Sequence, residues 1–266
     1  MENNEQYFVI NKETWNKKVA VHAKSDMYDL DVFKKGKSSL KKYELDALGD
    51  VSGKSLLHLQ CHFGQDTLSL ARMGAKCTGI DLSDEGIKLA KALNKELSLD
   101  AKFICCNVYD TNKYVLETFD TVYTSYGVIG WLPDLKPWAK VITASLKTGG
   151  TFFMAEFHPI VWMFDYQDNK TVMRYKYNQK EVIYEEYSGT YADINDEMLT
   201  KEYGWNHGLG DVVTALVSEG LQIEFLREYD ECPYNVLPDL EEEENGMFAT
   251  KDKLYPLIYT LKATKP

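Results

Sequence analysis

Between residues 54 and 157 the chain alternates between two patterns. Short apolar runs at 54–60, 76–81, 102–106, 120–124 and 151–157 are separated by stretches with apolar residues at helical spacing. Strands with apolar interiors alternating with amphipathic helices predict a parallel sheet covered on both faces, a doubly wound α/β arrangement. The helices are expected over 64–73, ending at Gly74, over 84–97, capped by Ser83 with acids in the first turn, and over 134–146, ending at Gly149-Gly150. Residues 12–48 carry Trp15, Val19, His22, Leu40, Tyr43, Leu45 and Leu48 at helical spacing and read as helices ahead of the first strand.

After His158-Pro159 the pattern changes. Residues 172–203 are rich in Tyr, Val, Ile and Thr, with a turn signal at Ser188-Gly189, and predict antiparallel strands with an acidic loop at 192–197. A helix over 208–219 ends at Gly220, and strands at 221–229 and 254–263 follow, joined by an acidic segment containing proline. The acids at 241–244 read as a solvated loop.

The segment with the clearest chemical content is Leu56-Leu57-His58-Leu59-Gln60-Cys61-His62-Phe63-Gly64, followed at Thr78-Gly79-Ile80-Asp81 by a second apolar run ending in an acid. Strand, tight turn, helix, strand and carboxylate is the order in which a doubly wound sheet holds an adenosine-containing cofactor. The turn admits the cofactor to the backbone, and the acid accepts hydrogen bonds from the ribose hydroxyls. Asp81 also reads as a plain loop acid or a helix cap.

Composition narrows the partners. A formal charge of −11 disfavours a large phosphate-binding surface, so no nucleic acid is expected. The polar N-terminus and the lack of a long apolar stretch predict no signal peptide and no membrane span. Five cysteines without CxxC spacing predict reduced thiols and a cytoplasmic location. His58, Cys61 and His62 lack metal-ligand spacing, so no metal is expected. Oligomeric state is not legible.

Four motifs in order, HLQCHFG (58–64), GWLPDL (130–135), EFHP (156–159) and GWNH (204–207), make the chain resemble a bacterial subgroup of the class I S-adenosylmethionine-dependent methyltransferases. The resemblance implies a seven-stranded, mostly parallel, Rossmann-like sheet, with N-terminal helices and an antiparallel insertion after strand five. It implies one domain with four parts: a helical lid (1–50), a cofactor-binding core (51–159), a β-rich insertion forming an acceptor pocket (160–205), and a closing helix and strands (206–266). The family turn usually carries an acid and three alternating glycines. Here His58 stands at the acid position, Gln60 and His62 replace two glycines, and Gly64 remains.

The resemblance places S-adenosylmethionine against Gln60, Cys61, His62, Gly64, Asp81, Leu82, Asn107, Val108, Tyr109, Ser125 and Tyr28. It puts Tyr126, His158 and His207 at the reaction as catalytic candidates, and Glu156, Trp162, Trp205 and Asn206 at a small or medium-sized acceptor. His158 also reads as a local hydrogen-bonding residue and Asn206 as a helix cap. Aromatics of the insertion (Trp162, Phe164, Tyr166, Tyr175, Tyr177, Tyr184, Tyr187) are expected to wall the acceptor pocket. The rival readings are a cofactor-binding module without turnover and a nicotinamide-dependent oxidoreductase, the latter lacking GxGxxG.

Overall fold

The computed structural model describes residues 4–167 and 170–266. Three helices come first: α1 (Glu5–His22), α2 (Leu30–Lys34) and α3 (Lys42–Leu48). The alternating segment follows as β1 (Ser55–Leu59), α4 (Gln65–Arg72), β2 (Lys76–Asp81), α5 (Asp84–Glu96), β3 (Lys102–Cys105), α6 (Thr111–Tyr114), β4 (Phe119–Ser125), α7 (Leu135–Ser145) and β5 (Leu146–Phe157). The insertion holds β6 (Phe164–Gln167), β7 (Lys170–Met173), β8 (Gln179–Ser188) and β9 (Leu199–Asn206). Then come α8 (Leu209–Ser218), β10 (Gln222–Tyr229), the short strands β11 (Glu231–Cys232), β12 (Glu241–Glu242) and β13 (Phe248–Ala249), and β14 (Ile258–Thr264).

Seven strands form the main sheet in the order β10-β14-β5-β4-β1-β2-β3. Neighbours from β3 to β5 run parallel, while β14 is antiparallel to both β5 and β10. Alternate residues serve opposite faces. Leu57, Leu59, Val122, Phe152 and Met154 pack with Trp138, Ile142 and Leu216 on one side. Leu56, Tyr123, Phe153 and Ala155 pack with Phe63, Leu68, Ile87 and Phe103 on the other. That two-sided burial explains why the strands read as apolar runs rather than alternating ones.

The expected elements are present with ends moved by a few residues. Among the strands of the main sheet the largest shift is in the fifth, which starts at Leu146 rather than Thr151. The insertion forms two hairpins, β6 with β7 and β8 with β9. Helix α1 packs on β9 and on α5, so the N-terminal segment and the insertion meet above the carboxyl ends of β1 and β2. Among the described residues no helix is long and apolar enough to cross a membrane.

Candidate functional site

Beyond Leu59 the chain turns through Gln60 (φ +57°), His62 (φ +51°) and Gly64 (φ +79°), three alternate residues in the left-handed region. Gly64 is required there twice over, since a Cβ would lie 2.6 Å from the Phe103 ring. Gln60 and His62 keep the backbone form that glycine would supply, at a cost of about 1 kcal/mol each, and such strain concentrates at functional sites. The path of the turn thus survives the loss of two glycines, with an amide and an imidazole added to it.

Asp81, at the tip of β2, faces this turn. Its carboxylate accepts from the His62 amide at 2.8 Å and from the Ser83 amide at 2.8 Å. Burial pushes its pKa up to about 6, against the backbone donors that favour the ionised form. Two amides leave lone pairs of the carboxylate free for further donors. Gln60 donates from Nε2 to the Val128 carbonyl at 2.8 Å, and Gln65 to the Tyr28 carbonyl at 2.7 Å. Cys61 differs from expectation. Its thiol is buried against Gly79, whose absent Cβ would lie 2.9 Å from Sγ, so it packs inward and only its backbone belongs to the turn.

A lid of aromatic rings covers the turn. Trp15 and His22 from α1, Tyr28, Trp131 and Tyr191 surround His62, with centroid separations from 4.7 to 6.5 Å among contacting rings. The hydroxyls of Tyr28 and Tyr191 lie 2.7 Å apart. Within the lid the Lys18 ammonium, 1% exposed, pairs with Glu202 of β9 at 2.7 Å. It lies 5.0 Å from the Trp15 ring and 5.1 Å from Trp131. Apart from Trp15, His22, His62 and Tyr28, sequence reasoning missed this group. A signal was present: Asn11, Thr14, Lys18 and His22 recur at helical spacing, and α1 buries that polar stripe.

At the end of β4, Ser125 donates to Asp66 at 3.0 Å, and Tyr126 (φ +36°) donates to Glu44 at 3.3 Å. The Tyr126 ring stands edge-on to Tyr234 at 5.2 Å. Tyr123 lies beneath both carboxylates, with its hydroxyl 3.5 Å from each. Glu44 is 1% exposed, and burial together with Asp66 pushes its pKa up to about 8. Glu44, Asp66 and Tyr234 were also missed. Asp66 lies two residues beyond Gly64, in the first turn of α4, where an acid also reads as an ordinary partner of the helix dipole.

Several expected residues have other duties. Glu156 directs its carboxylate at the backbone amides of Gly127, Val128 (2.8 Å), Ile129 (3.3 Å) and Phe157 (2.7 Å). Four donors fill its accepting capacity, so it holds the loop after β4 rather than an acceptor. His158 accepts from the Ile160 amide at Nδ1 and meets Glu228 at Nε2, 2.9 Å away. With both nitrogens engaged, it has no free lone pair with which to act as a base. Asn206 donates to the carbonyls of Trp162 and Lys176, tying the insertion together instead of capping α8. Trp205 is buried edge-on against Tyr7 of α1, and Trp162, more than a third exposed, stands against Phe157.

His207 donates from Nε2 to the Leu132 carbonyl at 2.7 Å, which leaves Nδ1 as the lone-pair nitrogen; burial holds its pKa below the usual histidine value. Asn107 accepts from the Tyr109 amide at 3.0 Å, and Val108 is buried in the turn they form. The Tyr109 hydroxyl meets the Asp134 backbone. The Leu82 carbonyl accepts from Cys105 at 3.4 Å. This second turn adjoins Asp81, because the Cys106 amide donates to the Asp81 carbonyl. Of the insertion aromatics, Tyr187 reaches Glu202 at 3.1 Å, Tyr175 bonds Glu185, Tyr177 packs on Gly208, Tyr184 lies tilted against Tyr203, and Phe164 meets Tyr255. The Tyr166 side chain lies outside the described residues.

Residues 57–154 match a family described as "Methyltransferase domain". Among curated proteins, the ubiquinone biosynthesis O-methyltransferase of Xanthomonas oryzae pv. oryzae is 29% identical over 131 residues, covering 48% of this chain and 54% of that protein. The chain thus spans about half the length of this relative. Among solved structures, an S-adenosylmethionine-dependent methyltransferase from Clostridium acetobutylicum aligns with TM-score 0.57 at 16% identity, covering 92% of this chain and 94% of that one. Another from Mesorhizobium loti gives TM-score 0.55 at 17% identity, covering 87% and 100%. The family match falls on the strands that build the site, and the neighbours share the fold around them. Residues 57–154 are thus similar to a methyltransferase domain, and the chain as a whole shares the fold of S-adenosylmethionine-dependent methyltransferases.

Proposed function

We propose that this protein binds S-adenosylmethionine over the β1 turn and transfers its methyl group to a small or medium-sized acceptor lying against Tyr126. The observation that carries the reading is Asp81, a half-buried carboxylate at the strand tip that faces a strained turn and keeps lone pairs beyond its two amide partners. The residues present suit the cofactor. Asp81 would take the ribose hydroxyls, and the Leu82 and Asn107–Tyr109 turns would border the adenine. Gln60, His62, Gly64, Tyr28 and Ser125 would surround the remainder. When bound, the cofactor supplies a methyl carbon on a positively charged sulfur.

The chain's own task is alignment, and orienting two reactants is worth roughly 7–11 kcal/mol of barrier. An acceptor nitrogen or oxygen must also release a proton. The Tyr126 hydroxyl and Glu44 carboxylate form the route we assign to it, because Glu44 is a buried carboxyl poised near neutral pH. His207, with Nδ1 free, is the alternative acceptor of that proton. The four parts of the chain act accordingly: the N-terminal helices as a lid, the sheet as the cofactor platform, and the insertion as a wall over the acceptor.

Calorimetry tests the reading. Purified protein is expected to bind S-adenosylmethionine and S-adenosylhomocysteine and to ignore NADH. Failure to bind either S-adenosyl compound overturns it. Binding without methyl consumption across broad acceptor pools favours the module without turnover.

A further inference from the structure

Three buried polar atoms around the β1 turn have no partner among the described residues: His22 Nε2, His62 Nδ1 and Gln60 Oε1. They belong to one connected group. His22 Nδ1 lies 3.0 Å from His62 Nε2, and Gln60 precedes His62 by two residues in the turn. Orphaned buried groups carry their full desolvation cost, so three together at one turn point to a ligand.

The chemistry of that ligand follows from proton counting. Burial keeps both imidazoles neutral, with His22 held at about 3 and His62 well below the usual value; the Lys18 charge acts in the same direction on both. A neutral pair joined through two nitrogens has one proton at the junction. The ring that donates it presents a bare lone pair at its outer nitrogen, and the ring that accepts it presents an outer N–H. Either tautomer therefore offers one donor and one acceptor. Gln60 Nε2 is spent on the Val128 carbonyl, so Oε1 adds a second acceptor. Matching this set takes one accepting group and at least two donated protons. A carboxylate beside an ammonium, as in a zwitterionic α-amino acid, provides both.

We propose that the His22–His62 pair, together with Gln60 Oε1, receives the α-amino acid tail of the methyl donor. The outer N–H binds the carboxylate, while the outer lone pair and Gln60 Oε1 accept from the ammonium. This rests on reading the site as one for S-adenosylmethionine. It assigns the two glycine replacements a purpose: backbone approach is exchanged for side-chain recognition. It also makes α1 part of the binding site through His22, which is fully buried at the helix's last turn.

The test compares two ligands by calorimetry, S-adenosylhomocysteine and 5′-methylthioadenosine, the second being the same nucleoside thioether without the amino acid. The variants are His22→Phe, which keeps a ring of similar shape, and His22→Gln, which keeps polar ends. Wild type is expected to prefer the tailed ligand. His22→Phe is expected to weaken S-adenosylhomocysteine by at least about tenfold and methylthioadenosine by less than about twofold, and His22→Gln to recover part of the loss. An unchanged S-adenosylhomocysteine affinity in His22→Phe overturns the proposal. So does an equal loss for both ligands, which would make the pair a lid or nucleoside contact. Because methylthioadenosine binding reports a folded site, misfolding is separated from loss of the tail contact. If wild type binds neither ligand, the S-adenosyl reading itself fails, a different result from either of these.

Discussion

Helices α1 and α7 both bury one face, but with opposite chemistry. The inner face of α7 is Leu135, Trp138, Ala139, Val141 and Ile142, set against the sheet and α8. That of α1 is Asn11, Thr14, Lys18 and His22, with Val19 its one fully buried hydrocarbon. Helix α7 is held by apolar transfer, which needs no particular partner. Helix α1 is held by one partner for each group: Asn11 with both backbone groups of Tyr203, Thr14 with the Lys201 carbonyl, Lys18 with Glu202, and His22 with His62. A satisfied buried hydrogen bond contributes only about 1 kcal/mol net, so α1 adds less stability than its buried area suggests. Helix α7 makes the fold; helix α1 completes a site that the fold has already outlined.

The comparison breaks most sharply at Trp138, which is wholly buried edge-on to Phe152. Trp138→Ala is expected to cost about 3–5 kcal/mol in urea unfolding. S-adenosylhomocysteine affinity of the remaining folded protein should change little. A small loss of stability would mean that α7 is not the core helix described here.

Asp81→Ala probes the other side. It should weaken S-adenosylhomocysteine by at least about tenfold in calorimetry, since charged hydrogen bonds of this kind contribute about 1.5–3 kcal/mol each. Because the Asp81 pKa is raised to about 6, wild-type affinity should fall on acidification through that pH, as the carboxylate gains a proton and loses acceptors. Asp81→Asn should lack that step. Equal pH profiles for the two proteins would place the ribose elsewhere.

This contrast also explains what the sequence disclosed. Apolar periodicity reports α7 and the strands directly, because their burial is hydrophobic. It is nearly silent on α1, which begins at Glu5, well before the expected start at residue 12. Asp81 and Gly64 were legible because strand ends and tight turns constrain residue type. Glu156 was not legible as a structural residue, and for His158 the local hydrogen-bonding reading stood only as one of two. Nothing local in EFHP reveals that the Gly127–Ile129 amides close on one side chain, or that Glu228 meets the other. Glu44 and Asp66 come together only because α3 and α4 converge over Tyr123, a tertiary fact without a local pattern.

Glu44→Gln sharpens the comparison through pH. A native pKa near 8, above the usual carboxyl value of 4.5, means that the folded state holds a proton which the unfolded chain has released. Between those values stability falls as pH rises, and above about pH 8 the full penalty is present. Glutamine carries no such charge and still fits the capping arrangement with the Lys41 amide. The variant's advantage in thermal midpoint should therefore be near zero at pH 4.5 and grow to at least about 3 °C at pH 8.5. If the proton route through Tyr126 is right, its turnover should also fall by about a hundredfold. A constant difference across pH would show that Glu44 is ionised in the native protein throughout.

The smallest global effect is expected from Asn11→Ala, which removes the two 2.9 Å bonds between α1 and Tyr203. If α1 is a partner-dependent layer, its loss of docking is sub-global. Amide exchange in α1 and β9 should then quicken by about tenfold, while the overall thermal midpoint moves by less than about 1 °C. If the thermal midpoint falls in proportion to the exchange, the two helices unfold as one unit. The distinction between them would then be one of composition and not of cooperativity. If exchange in α1 is unchanged, the ion pair and the imidazole pair hold it alone, and the asparagine bridge only registers the hairpin. The first outcome is expected because Asn11 lies two turns from Lys18, in the N-terminal half of α1 and away from the His22–His62 junction.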